Sequence, residues 1–147
     1  MVARMRLHGS LGRMYIDYAA EPDLGVDEFR AVLVASTLGA RRPVDDTARL
    51  GEMLRHASLI VTARSGGRLV GVSRALTDFS YCCYVSDLAV DGAFQRRGIG
   101  RRLLDETRLR AGERATLLLV AAPAAERYYP HIGLQHVPGC WAIPRSR

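Results

Sequence analysis

The chain has 147 residues, of which 48% are hydrophobic, and its formal net charge is +6. That length suits a single domain, residues 1–147, with a core large enough to need no disulfide or metal. No segment approaches the roughly 18–20 apolar residues of a membrane span, and the start of the chain lacks the apolar stretch of a signal peptide. We therefore expect a soluble, cytoplasmic domain with no membrane partner.

The cysteines show neither metal-ligand nor redox spacing; they are Cys82, Cys83 and Cys140. Neighbouring residues of a strand point to opposite faces of a sheet, so Cys82 and Cys83 are poorly placed to form a disulfide. We interpret all three as reduced packing residues. No metal site is expected.

The positive charge is carried entirely by arginine, since all 21 basic residues are arginine, and seven of them lie between Arg96 and Arg114. A basic surface of this kind can attract nucleic acid through phosphate contacts. The sequence contains no recognisable module for reading DNA or RNA, however. Nucleic acid is therefore not expected as a partner.

The first part of the chain predicts one strand and two helices. Residues 13–20 alternate enough to form a strand, and apolar residues at helical spacing predict a helix over 26–38 that ends at Gly39. A second helix follows a proline-containing loop, and either Asp45 or Asp46 is placed to cap it.

The rest of the chain alternates between strands and helices. The sequence Ser65-Gly-Gly67 predicts a hairpin, because glycine accepts positive φ at no steric cost. An almost continuous apolar run predicts a strand that is covered on both faces at 116–121. The full series is strands over 59–64, 68–76 and 81–90, a helix over 99–111, the strand over 116–121, a short helix over 124–130 and a closing strand over 135–143.

A glycine-rich segment stands between the strand over 81–90 and the helix over 99–111. There the helix start offers unpaired backbone N–H groups and the positive end of the helix dipole, which favour a phosphate. Gly98 and Gly100 let a ligand approach the backbone, and the guanidinium groups beside them suit phosphate oxygens. The segment comprises Gln95, Arg96, Arg97, Gly98, Ile99, Gly100 and Arg101. It predicts a cradle for an anion.

The order Gln95-Arg-Arg-Gly-Ile-Gly100 is neither a P-loop nor a dinucleotide-binding fingerprint. It resembles the pyrophosphate-binding motif of the GNAT acetyltransferase superfamily, Gln/Arg-x-x-Gly-x-Gly/Ala. Upstream, the stretch from Tyr84 to Val90 is similar to the central strand of that family. Downstream, Ala121-x-x-x-Ala-x-x-Tyr-Tyr-x-x-x-Gly-Leu134 is similar to its second motif. On these ordered matches the chain is identified as a member of the superfamily.

The resemblance implies an α/β (α+β) fold with a mixed, mostly antiparallel sheet of six to seven strands, a central splay and about four helices. It also implies acetyl-CoA as the acetyl donor. The backbone of Leu88, Ala89 and Val90 would then bind the pantetheine arm, and the cradle from Gln95 to Arg101 the pyrophosphate. A homodimer through late strands, near Trp141, is a further expectation.

For catalysis, the resemblance implies transfer of the acetyl group to a primary amine by direct attack. Tyr129 occupies the position of a general acid for the departing thiolate, with Tyr128 as its packing neighbour. Either Asp87 or water is the base that deprotonates the amine. Two alternatives stay open: Asp87 binds only a neighbouring arginine or loop amide, and the tyrosines only cap the core.

The acceptor is less constrained. A weaker likeness to plastid-type arylalkylamine (serotonin) N-acetyltransferases implies an aromatic amine stacked on Phe79, Tyr81 or Trp141, with Asp78 or Asp87 receiving its ammonium group. A peptide or protein amine is the rival substrate. The non-enzymatic alternative is an acyl-CoA-binding or nucleic-acid-associated module of the same fold.

Overall fold

The computed structural model describes residues 1–9 and 12–146. Within them, six strands form a single sheet in chain order, and every neighbouring pair is antiparallel except the parallel pair of the last two strands. The predicted mixed sheet is therefore confirmed. Its strands are β1 (Ala3–Gly9), β2 (Gly12–Ala20), β3 (Leu59–Ser65), β4 (Arg68–Thr77), β5 (Cys82–Val90) and β6 (Thr116–Leu119), and the helices are α1 (Val26–Ala35), α2 (Thr47–Arg55), α3 (Ile99–Ala111) and α4 (Tyr128–His131).

The first helix ends earlier than its apolar spacing predicts. Ser36 has an extended backbone, and its hydroxyl accepts a hydrogen bond of 3.2 Å from the Leu38 N–H, which starts a 3₁₀ turn over Thr37–Arg41. A Cβ at Gly39 would lie 2.5 Å from the Leu33 carbonyl oxygen. Gly39 is therefore needed where this turn folds back against α1, rather than at the end of the helix.

Two local predictions are confirmed by their detailed geometry. Asp46 is the cap of α2, because its carboxylate accepts from the Arg49 N–H at 3.0 Å. The β3–β4 hairpin turns through Gly66 and Gly67, whose φ angles are +55° and +86°. Positive φ at both central residues is typical of the tight turns that suit twisted strands.

Helices cover both faces of the sheet. On one face, α1 and α2 pack through Phe29, Leu33 and Leu50. On the other, α3 buries the predicted set of Ile99, Leu103, Leu104, Thr107 and Ala111. A Cβ at Gly71 of β4 would stand 3.0 Å from Leu103 Cδ1, so this glycine permits the close approach of α3.

The end of the chain departs from prediction. The short helix over 124–130 is instead a 3₁₀ turn over Pro123–Ala125 followed by α4. β6 ends at Leu119 and has one open face, since Leu118 is 44% exposed. The closing strand over 135–143 is wrong, because residues 135–146 have no regular secondary structure. Pro138 and Pro144 cannot donate to a sheet ladder, which weakens this segment as a strand.

None of the helices in residues 1–9 and 12–146 is long and apolar enough to cross a membrane.

Candidate functional site

A β-bulge in the middle of β5 organises the site. Arg74 of β4 pairs with Asp87 and Ala75 pairs with Val85, so Ser86 is an extra residue with no partner of its own. Side chains alternate along a strand, and the extra residue shifts that alternation. Val85 therefore packs in the core on the α3 side, whereas Ala89 packs against α1 and α2.

A slot opens between β5 and β6 beyond the bulge. The two strands pair only from Cys82 to Val85, although β5 continues to Val90. The Asp91 N–H donates to the Val70 carbonyl at 2.9 Å, which makes Gly71–Val90 a non-hydrogen-bonded pair of the antiparallel ladder. By the same alternation, the backbone N–H and C=O of Leu88 and Val90 point toward the slot. Those of Ala89 point toward β4, so two of the three residues expected to bind the pantetheine arm face the slot.

The loop after β5 is held by its own side chains. Asp91 accepts from the Ala93 N–H at 2.9 Å and from Arg68 at 2.6 Å, and thereby starts a 3₁₀ turn over Gly92–Phe94. The Phe94 ring lies 5.8 Å from the Arg68 guanidinium and 5.6 Å from that of Arg97. The Gln95 amide donates to the Val90 carbonyl at 3.0 Å. The predicted cradle is thus fastened to the end of the slot.

The start of α3 has the geometry that an anion site requires. Gly98 is the N-cap with φ +80°, and a Cβ placed there would meet nothing within 4 Å. Arg96 also has a positive φ of +62°, which is uncommon for a residue other than glycine. The side chains of Arg96, Arg97 and Arg101 are exposed, and they extend from the chain beside the first helical turn, whose N–H groups have no acceptor within the helix. Backbone donors and exposed arginines are therefore neighbours in the chain at the start of α3.

The two tyrosines of α4 have different surroundings. Tyr129 is half-buried against the α3-side core, and its ring meets that of Tyr128 edge-on at 5.4 Å. Tyr128 reaches the cradle: a Cβ at Gly100 would lie 3.2 Å from its hydroxyl oxygen. Burial raises the pKa of both phenols. At Tyr128 the backbone N–H of Arg101 acts in the opposite direction and lowers the pKa, but burial has the larger effect. Both phenols therefore stay protonated at neutral pH, and the hydroxyl of Tyr128 lies at the cradle, which sequence reasoning missed.

Asp87 is fully buried, and both of its oxygens are engaged. Arg42 binds one carboxylate oxygen through Nε, and Arg74 binds the other through its own Nε. Ser86 joins them, since its carbonyl accepts from Arg42 at 2.7 Å and its hydroxyl accepts from Arg74 at 3.0 Å. The side chain of Asp87 thus presents no accessible oxygen, in line with the alternative that it binds neighbouring arginines. An arginine inside the apolar strand β4 was the available signal for this buried partner.

The turn before β5 holds three of the four residues expected to bind the acceptor. Asp78 Oδ1 accepts from the backbone N–H groups of Ser80, Tyr81 and Cys82 at 2.9, 2.8 and 3.1 Å, and these bonds lower the pKa of Asp78 to about 2. Phe79 has a φ of +58°. From Tyr81 to Ser86, where the slot begins, is five residues, roughly 15 Å. The structure therefore does not bring Asp78, Phe79 or Tyr81 to the slot.

Trp141, the fourth expected acceptor residue, lies in the irregular segment 135–146 and is 94% exposed. Among residues 1–9 and 12–146 there is also no group of three or more His, Cys, Asp or Glu side chains that could hold a metal ion.

Comparison with known proteins identifies the family to which the chain belongs. The model of the acetyltransferase (GNAT) domain matches residues 37–138. An uncharacterised N-acetyltransferase, ycf52, of Porphyra purpurea is 30% identical over 102 residues. That match spans 63% of this chain but only 59% of the length of the relative.

Solved structures share the fold at low sequence identity. A probable acetyltransferase from meticillin-resistant Staphylococcus aureus superimposes with a TM-score of 0.74 at 17% identity, covering 90% of this chain and 99% of that one. An aminoglycoside N-acetyltransferase, AAC(6')-Iy, in complex with CoA gives a TM-score of 0.69 at 14% identity over 95% and 100% of the two chains. A ribosomal-protein-alanine N-acetyltransferase from Brucella melitensis gives 0.64 at 22% identity over 88% and 99%.

Proposed function

The chain belongs to the GNAT acetyltransferase family, and on that premise we propose that it is an acetyl-CoA-dependent N-acetyltransferase acting on a primary amine. The observation that carries the proposal is the slot between β5 and β6, which ends on the cradle before α3. Backbone groups of β5 that have no strand opposite them lead to the proposed anion site along one path. A long ligand with amide groups at one end and phosphates at the other fits that order of contacts.

The residues present suit acetyl-CoA. The backbone groups of Leu88 and Val90 that face the slot are placed to bind the amides of the pantetheine arm as a neighbouring strand would. The cradle from Gln95 to Arg101 is placed to bind the pyrophosphate through N–H groups and guanidinium forks. The open space at Gly98 leaves room for a phosphate against the backbone.

In the proposed reaction, acetyl-CoA supplies an acetyl carbon activated as a thioester, which the neutral amine attacks directly. The acceptor arrives as an ammonium ion, so one proton leaves before attack and a second leaves afterwards. Tyr129 is proposed to give its phenolic proton to the thiolate and to be reprotonated from the acceptor nitrogen. Burial raises the pKa of Tyr129, which keeps that proton in place until it is needed.

For the first proton, the contacts of Asp87 favour water over the carboxylate. Both oxygens of Asp87 are bound by arginine and the side chain has no exposed surface. We therefore assign the base to water at the slot, and Asp87 to holding Arg42 and Arg74 in place.

The experiment is release of free CoA from acetyl-CoA by the purified protein across aromatic amines, aliphatic amines, polyamines, amino acids and lysine peptides, together with the Kd for acetyl-CoA. Tyr129→Phe is expected to lower kcat by about 100-fold with little change in acetyl-CoA binding, as for loss of a general acid. Tyr128→Phe is the comparison variant: its hydroxyl lies at the cradle, so its loss is expected to change the Kd for acetyl-CoA and to retain kcat at saturating acetyl-CoA.

The outcomes separate the candidate functions. Turnover that depends on Tyr129 supports the proposed enzyme. Tight acetyl-CoA binding without turnover on any amine would favour an acyl-CoA-binding module instead. No acetyl-CoA binding at all would contradict the assignment of the slot and the cradle.

A homodimer is also part of the proposal. Apolar side chains stand exposed at Val137, Trp141 and Ile143, with Trp141 94% and Ile143 99% accessible. Exposed apolar groups close together favour an interface. Size-exclusion chromatography with light scattering measures the mass of the protein in solution. A monomer at micromolar concentration would contradict the proposed homodimer.

A further inference from the structure

Arg42 contacts β5 where the slot begins. It follows the 3₁₀ turn between α1 and α2, and its guanidinium donates to Asp87, to the Ser86 carbonyl at 2.7 Å and to the Arg41 carbonyl at 2.9 Å. Ser86 comes directly after Val85, the last residue of β5 that pairs with β6. Arg42 is thus fixed at the point where the two strands begin to separate.

This position is on the side from which an acceptor has to enter. The cradle occupies the start of α3, and α3 covers one face of the sheet. Beyond the bulge, the side chains of Asp87 and Ala89 lie on the same face of the sheet. Ala89 packs with α1 and α2 on that face, which is opposite to α3. A ligand lying in the slot with its phosphates at α3 leaves the α1–α2 side of the slot for the second substrate. Arg42 belongs to that side.

The charge at this point is positive. Arg42 and Arg74 share the single carboxylate of Asp87, so two guanidinium groups face one anion. Arg74 is buried and completes its contacts with Ser86 and with the Met53 carbonyl at 3.2 Å. Arg42 keeps 22% of its side chain exposed. In the described part of the chain, three of its five N–H donors are engaged, which leaves two for a ligand.

The carboxylates expected to receive an ammonium group are also occupied. Asp87 is enclosed by the arginines, and Asp78 is bonded to its own turn at the other end of β5. A purely cationic amine would therefore meet surplus positive charge at the base of the slot, and like charges at close range repel. An acceptor that brings its own anionic group meets a donor that is already positioned.

We propose that Arg42 binds a carboxylate of the acceptor, so that the site selects amines of amino-acid type over simple amines. This inference rests on the proposed function and names its substrate class. Arg42 acts here as a specificity residue: it touches the acceptor away from the nitrogen that is acetylated. Asp87 acts through Arg42, as the positioning residue that holds the guanidinium over the slot.

The test compares acceptors that differ only in the carboxylate, such as tryptophan with tryptamine and leucine with isoamylamine, by kcat/KM for CoA release. The wild-type protein is expected to prefer the amino acid of each pair. Arg42→Gln should lower kcat/KM for the amino acids roughly 10- to 100-fold, as for loss of a hydrogen bond to a charged group, mainly through KM. The simple amines should change less than about twofold.

Two controls keep the interpretation clear. Arg41→Gln changes the neighbouring exposed arginine and is expected to leave both acceptor classes unaffected. The Kd for acetyl-CoA should be the same in wild type, Arg41→Gln and Arg42→Gln. If Arg42→Gln does not fold, the wild-type ranking still decides, because equal or better use of the simple amines overturns the proposal.

Failure of this inference is distinguishable from failure of the proposed function. Turnover of simple amines or polyamines in preference to amino acids would overturn the role of Arg42 and leave the acetyltransferase standing. An equal loss for both members of each pair in Arg42→Gln would mean that Arg42 is only structural. Absence of acetyl-CoA binding would overturn both.

Discussion

An aspartate lies near each end of β5, Asp78 before it and Asp91 after it, but the two ends offer a ligand very different surroundings. At the end after the bulge, backbone groups of Leu88 and Val90 face a slot with no strand opposite, and the loop beyond leaves the start of α3 open. At the other end, one carboxylate oxygen of Asp78 accepts hydrogen bonds from three N–H groups of its own turn. A binding site needs polar groups that the fold leaves available, and residue type does not reveal which ones they are.

The difference arises from what the chain does next at each end. After Val90 it crosses over through a loop and a helix to reach a parallel strand, and such a connection separates β5 from β6 along part of their length. Before Cys82 it only reverses from β4 into the adjacent antiparallel strand. That tight reversal uses Asp78 and Thr77 to satisfy its backbone, so few groups remain for a ligand.

Asp87 lies in β5 between the two ends, and Asp87→Asn is expected to have the largest effect on the free energy of unfolding. It leaves the buried Arg74 and the partly buried Arg42 with no anion, and breaking a buried pair from one side costs about 3–5 kcal/mol of unfolding free energy. Urea unfolding measures this change. Asp17→Asn is the matched control, because it removes a carboxylate whose arginine partner, Arg4, is exposed, and its unfolding midpoint should barely move.

The same variant tests the assignment of the base. With water as the base, any folded Asp87→Asn protein should show the same rise of kcat/KM with pH as the wild type. Loss of that pH dependence would return Asp87 to the role of general base and would make the middle of β5 part of the chemistry.

Gly98→Ala should weaken acetyl-CoA binding by about tenfold or more. Alanine at a φ of +80° is strained, and the added methyl group projects into the space that a phosphate would take. Gly66→Ala is the matched control, since Gly66 also has a positive φ and open space around its Cβ but lies in the β3–β4 hairpin. Isothermal titration with acetyl-CoA should show a defect for Gly98→Ala alone. An equal defect in both would mean that strain, not contact, sets the affinity.

Asp78→Ala should lower the Tm by about 3–6 °C through loss of the turn, with kcat/KM unchanged for all acceptors. Its contribution has a defined pH dependence. The pKa of Asp78 is lowered from 3.8 to about 2, so its contribution to stability is complete above about pH 4 and is lost as pH falls through 2. Thermal melts of both proteins from pH 7 to 2 should therefore converge at the acid end. A selective loss of amine turnover would instead show that this turn binds the acceptor.

Phe79→Gly should have the smallest effect, a gain of a few tenths of a kcal/mol in unfolding free energy. Glycine relieves the positive φ of +58° at this position, and this gain is reduced by the greater freedom of glycine in the unfolded chain. Chemical denaturation measures the gain. A tenfold loss of kcat/KM for aromatic amines would contradict the difference between the two ends of β5, because it would place an aromatic acceptor at the end near Phe79.

Much of the fold could be predicted because its determinants are local. The limits of α3 and its buried face follow from apolar residues at helical spacing, and the β3–β4 hairpin follows from two adjacent glycines. β1 was missed, and the closing strand over 135–143 was wrong. A strand at the edge of a sheet is stabilised by a partner distant in sequence, which a local pattern does not contain.

By itself the sequence determined the family and predicted the cradle, because glycine conformations, helix starts and clustered arginines act over a few neighbouring residues. Only the tertiary structure decided which side chains remain available to a ligand. The bulge at Ser86 sets the direction of Asp87, and its partners Arg42 and Arg74 come from elements 45 and 13 residues away. Strand register and helix packing bring such groups together, and both depend on contacts along the whole chain.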